Sequence, residues 1–139
     1  MGDYTQTAGI PTYTQFAGAE ALTNTEKETK SVGSFLNEFA SRRNALYNGL
    51  NSIGGIRLPL KPDGAFYIFP DFSEFIPNNI KSEESKLYVF NKLIDNGVAT
   101  VFGSCFGQYF QNNLRFSYST TDLTQIEEGL DRIKRALHN

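Results

Sequence analysis

Apolar residues recur at helical spacing in three stretches of this chain, and apolar and polar residues alternate, as in strands, in others. From Ser31 to Asn51, Phe35, Phe39, Leu46 and Leu50 predict a helix, with Arg42 and Arg43 beside the stripe and Gly54-Gly55 closing it. Ile56 to Leu60 alternates like a strand, with Pro59 favouring an edge. Lys61-Pro62-Asp63-Gly64 is a turn signal, because proline presets its backbone angle and glycine tolerates the last position. Ala65 to Phe69 is nearly all apolar, so the two segments predict a hairpin. Ser82 is the expected cap of a second helix, with Leu87, Phe90 and Ile94 as its stripe and Gly97 as its stop. Val98 to Phe102 and Leu114 to Ser119 read as strands. In the latter, Leu114, Phe116 and Tyr118 share one face and Arg115, Ser117 and Ser119 the other. Leu123, Ile126, Leu130, Ile133 and Leu137 mark a last helix capped by Thr121 or Asp122.

This order predicts an α+β fold: a mostly antiparallel sheet with helices packed on one face, the other left to solvent or to a partner domain. The stretch before it differs. Asp3 to Leu22 is uncharged apart from Asp3 and Glu20, with helical content only over Gln15 to Leu22. It reads as a segment that packs against something outside this chain. Thr23 to Lys30 is a polar joint, which divides the sequence into residues 1–30 and a domain over 31–139.

Composition narrows the function. Hydrophobic residues make up 40% and charged residues 20% of 139 residues, enough for one soluble core. The formal charge of -2, with no run of more than two basic residues, argues against a nucleic-acid partner. Phe66, Tyr67 and Phe69 resemble the stacking aromatics of an RNA-binding sheet, but Asp63 stands before Gly64 where a basic residue is wanted. No stretch is long and apolar enough for a membrane. The single cysteine, Cys105, fits a reducing, cytoplasmic setting. It reads as a small packing residue, since the one histidine, His138, sits at the chain end. That shortage of His and Cys leaves no metal site. Glu83-Glu84 and Glu127-Glu128 read as helix-start carboxylates that offset the macrodipole.

Arg115 is the candidate with chemistry. Its strand points it away from the helices, and a guanidinium fork on a rigid strand suits bidentate binding of a carboxylate. By spacing alone, a solvated or ion-paired arginine is the commoner role.

Larger patterns change that balance. Pro62-Asp63-Gly64-Ala65-Phe66-Tyr67, then Gly97-Val98-Ala99 through Gly103-Ser104-Cys105-Phe106-Gly107, then Leu114-Arg115-Phe116-Ser117 stand in order behind the Arg42-Arg43 pair. Together with the final helix they resemble the C-terminal small domain of class I aminotransferases of the aspartate aminotransferase type. Thr14 to Leu22 resembles the segment downstream of that family's cofactor lysine. Phe102 stands where the family usually has proline, and Phe110 and Asn112 where it often has glycine.

The resemblance implies a pyridoxal-phosphate enzyme that moves an amino group between an amino acid, possibly aspartate, and a 2-oxo acid. Arg115 would bind the substrate α-carboxylate and Phe66 would line the cleft. It also implies a missing large domain, which holds the cofactor lysine, and a homodimer as the whole enzyme. Residues 1–30 would be a remnant from the large-domain side. Lys27, Lys30, Lys61, Lys81, Lys86, Lys92 and Lys134 sit in joints, turns or helix surfaces, and none has the desolvated pocket a Schiff-base lysine needs. The chain by itself is thus expected to hold no catalytic residue, to bind no cofactor and to be inactive. The competing reading is a non-catalytic ligand-binding or regulatory domain.

Overall fold

The structure, a computed structural model, describes residues 9–80 and 82–138. The chain divides into two compact units, residues 1–38 and 39–139. In the first, helix α1 (Thr12–Thr23) follows Pro11, whose fixed backbone angle suits a helix start. It buries none of its residues, and Tyr13, Phe16 and Leu22 stand exposed. Asn24 ends that helix, and helix α2 (Thr25–Asn51) begins within the expected polar joint, Thr23 to Lys30.

The second unit holds the core. Leu46 and Leu50 of α2 are buried as their spacing predicts, and Phe39 packs at the margin. Phe35, expected in the same stripe, is 60% exposed. Helix α3 (Ser82–Asp95) buries Val89 and Leu93, so its inward stripe is turned relative to the expected one; Leu87 and Ile94 are exposed and only Phe90 reaches the core. Ser82, expected as the cap, is the first residue of this helix, and its side chain lies outside the described residues. Gly97 ends this helix at φ 73°, with its N–H donating to the Ile94 carbonyl and the Val98 N–H to the Leu93 carbonyl. That double bond pattern needs a left-handed residue, which glycine supplies without strain. Helix α4 (Leu123–His138) buries Ile126, Leu130, Ile133 and Ala136, while Leu123 is exposed beyond the core. Asp122 is its cap. Its carboxylate accepts the Gln125 N–H at 2.7 Å, and the Gln125 side-chain oxygen accepts the Asp122 N–H at 3.0 Å.

Strands β1 (Tyr67–Ile68), β2 (Val101–Phe102) and β3 (Leu114–Ser117) form an antiparallel sheet in the order β1-β3-β2. The expected hairpin does not form. Arg57 pairs with Asp71, as an isolated bridge, and β1 pairs with β3 instead. The reason is local: Pro59 has no N–H for a ladder, and the Arg43 guanidinium holds the Pro62 carbonyl at 3.1 Å. The left-handed residue is Ala65, at φ 57°, and not Gly64. The expected strand from Val98 likewise shrinks to two residues.

Tyr118 ties this segment to the sheet. It is 1% exposed, its N–H donates to the Phe66 carbonyl, and its hydroxyl donates to the Ala65 carbonyl at 3.1 Å. Burial pushes its phenol above the usual 10.0, with the nearby Arg43 charge pulling the other way. A neutral form preferred in the fold gives stability that is complete below the unfolded pKa and is lost as pH rises through the folded one. Tyr118→Phe is therefore expected to cost about 1 kcal/mol near pH 7 and to flatten the loss of stability above about pH 10. Urea midpoints on both sides of that pH check it; parallel pH profiles for parent and variant would contradict it.

Candidate functional site

Alternation along β3 buries Leu114 and Phe116, followed by Tyr118, and leaves Arg115 and Ser117 on the opposite face. The register sets their neighbours. Arg115 stands across from Val101 and Ser117 across from Tyr67, which makes Tyr67 the diagonal neighbour of Arg115. The Arg115 guanidinium carbon lies 4.3 Å from the Tyr67 ring centre and 4.9 Å from that of Phe106. Among the described residues, no carboxylate, carbonyl or hydroxyl accepts a hydrogen bond from it.

The second aromatic comes from the turn after β2. Residues 103–106 and 108–110 form two short 3₁₀ segments around Gly107, which has φ 134°. Phe69 meets Phe106 edge-on at 5.6 Å and Phe110 at 5.4 Å. Phe66 is 37% exposed and lies between Phe39, at 6.1 Å, and Tyr67, at 4.7 Å. Arg115, Tyr67, Phe66 and Phe106 thus belong to one aromatic-walled patch. Arg42 donates to the Ser119 carbonyl at 2.6 Å and lies over the Phe39 ring, and Arg43 donates to the Pro62 carbonyl, so the pair fixes α2 to the segments around the sheet.

Residues 4–133 match the family described as aminotransferase class I and II. The chain belongs to this family. It is 41% identical over 121 residues to a protein of Methanocaldococcus jannaschii named "Probable aspartate aminotransferase", a match covering 87% of this chain and 29% of that protein. It is 36% identical over 129 residues to the aromatic-amino-acid aminotransferase 2 of Thermococcus litoralis, covering 91% of this chain and 30% of the relative. The solved structure of Thermus thermophilus aspartate aminotransferase with maleate superposes with a TM-score of 0.76 at 30% identity, over 97% of this chain and 32% of that one. The chain therefore spans about a third of the length of the aminotransferases it matches.

Within this chain, Lys30, Lys61 and Lys134 are exposed and Lys92 is half-buried over the Tyr88 ring. The side chains of Lys27, Lys81 and Lys86 lie outside the described residues. None of the described lysines has a desolvated pocket, and no described glycine-rich turn opens a helix. The described residues thus do not fit a bound pyridoxal phosphate. No group of three or more potential metal ligands occurs among them, and no described helix is long and apolar enough to cross a membrane.

Cys105, expected to pack, is exposed. Glu128 lies beyond the first turn of α4 and pairs with Arg132 one turn on, while the cap itself is Asp122. The Glu83 and Glu84 side chains lie outside the described residues. A cavity of about 450 Å³ lined by α4, β3 and Val98-Ala99 does not include Arg115. Sequence reasoning placed Arg115 on its face but missed Tyr67 and Phe106 as its neighbours. The alternation of Tyr67 against the buried Ile68 was the signal for one of them.

Proposed function

We propose that this chain is the C-terminal small domain of a pyridoxal-phosphate-dependent aminotransferase, in which Arg115 binds the substrate α-carboxylate. The observation that carries the proposal is an arginine on the outward face of a central strand with no acceptor among the described residues. A guanidinium left unpaired in a folded domain is a site for an anion that comes from elsewhere. Its planar fork fixes a carboxylate in two directions, which orients the α-carbon of an amino acid. The cofactor supplies the electron-sink chemistry.

Membership of the aminotransferase family favours this reading over a cofactor-free regulatory domain. Partial coverage of the relatives supports a large domain outside this chain that carries the cofactor lysine. The proposed enzyme is a cytoplasmic homodimer acting on an amino acid and a 2-oxo acid, without nucleic acid or membrane. Aspartate is the proposed donor. Residues 1–30 belong with the large domain, residues 31–139 form the small one, and Phe66 lines the cleft between them.

The test is absorbance at the Schiff-base band of pyridoxal phosphate. The expected result is that a chain extended to the length of the relatives turns yellow and transaminates aspartate with 2-oxoglutarate. The 139-residue chain is expected to do neither. An extended chain that binds no cofactor overturns the enzyme reading; turnover by the short chain overturns the assignment of the chemistry to the missing domain.

A further inference from the structure

We propose that Tyr67 and Phe106 are positioning residues for Arg115, holding its guanidinium over their rings so that its N–H groups stay free for a carboxylate. The inference rests on the carboxylate reading of Arg115. A cation is drawn to the face of an aromatic ring, whereas a carboxylate takes the N–H edges of the guanidinium in its own plane. A guanidinium lying flat on the rings leaves its N–H edges to a carboxylate, so the two contacts need not compete.

An acidic partner would hold Arg115 equally well but would consume those edges. The contrast stands within the same chain. Arg57 donates to Glu74 at 2.9 Å, Arg132 pairs with Glu128, and Arg43 donates to the Pro62 carbonyl at 3.1 Å. These arginines are joined to protein acceptors, and Arg115 is held by rings.

The rings come from separate elements, which makes the hold geometric and not incidental to one loop. Tyr67 is fixed by the β1–β3 register, and Phe106 by its edge-on contact with Phe69 at 5.6 Å. A long side chain left free would lose rotamer freedom on meeting substrate, so prior positioning lowers the cost of binding.

The experiment follows the Arg115 Nε–Hε signal by NMR in the full 139-residue chain, with maleate as the carboxylate probe. The parent signal is expected to be displaced by ring currents and to move on titration. In Tyr67→Leu and in Phe106→Leu the ring-current displacement shrinks and the maleate dissociation constant rises about threefold, with about tenfold for both together. Tyr67→Phe and Phe106→Tyr restore both readouts, because each keeps a ring. The Val89 and Leu93 methyl signals report whether each variant keeps its core. A signal and an affinity unchanged in both leucine variants overturn the positioning proposal alone. A displaced parent signal that does not respond to maleate overturns the carboxylate reading, and the proposal with it.

Discussion

Arg115→Ala in the length-extended enzyme is expected to lower kcat/KM roughly a hundredfold or more, the scale of losing a charge-assisted bidentate contact. Both KM and kcat are expected to change, because the proposed fork would contribute binding and also orient the α-carbon against the cofactor. Arg115→Lys is expected to fall between parent and alanine: it keeps the charge but offers a flexible point donor in place of a planar fork. The decisive comparison uses an amine that lacks the α-carboxylate. Its slow turnover should respond little to Arg115→Ala, since that substrate lacks the group that Arg115 is proposed to hold. An equal loss for both substrates would mean that the substitution damages the domain and not the carboxylate contact. The fold predicts against such damage, because the Arg115 side chain lies on the outward face and makes no hydrogen bond or ion pair among the described residues.

Parts of this arrangement were legible in the sequence for definite reasons. The inward side of α4 follows from Ile126, Leu130 and Ile133, and its start from an acid at Asp122 with Gln125 three residues on. The outward direction of Arg115 follows from alternation on β3, which needs no tertiary information. The pairing of strands does require it. Ile56 to Leu60 and Ala65 to Phe69 are joined by a strong turn signal, yet β1 takes β3 as its partner and Arg57 takes Asp71. Register depends on which faces are buried across distant segments, and local pattern does not carry that. The same limit hid the Arg115 neighbours. Tyr67 reaches Arg115 only through the β1–β3 register, and Phe106 only through a turn that folds back beneath Phe69. On α3 the stripe Leu87-Phe90-Ile94 stands beside a second apolar pair, Val89 and Leu93, and it is this pair that the core buries.

Gly103→Ala is expected to have the largest effect on stability of any glycine replacement in the 39–139 unit, about 2–3 kcal/mol. A Cβ there would lie 2.0 Å from the Phe110 carbonyl oxygen and 2.6 Å from that of Asn113. Both are backbone atoms, so no side chain can rotate away. The Gly103 N–H also donates to the Asn113 carbonyl at 2.7 Å, and this short contact holds the turn closed beside β3. Gly49→Ala is the informative control. Its Cβ would come within 2.1 Å of Leu130 Cδ1, a flexible side-chain end, and alanine favours the helix over glycine by up to about 1 kcal/mol. Similar crowding should therefore cost much less at Gly49 than at Gly103, and urea midpoints of the two variants decide it. Equal midpoints would show that the 103–110 turn yields as easily as a leucine methyl. If the turn is as fixed as its backbone contacts imply, Gly103→Ala also draws Phe106 away from Arg115. The ring-current displacement of the Arg115 signal then shrinks even where the variant remains folded, which links a backbone contact in the turn to the position of the proposed carboxylate-binding group.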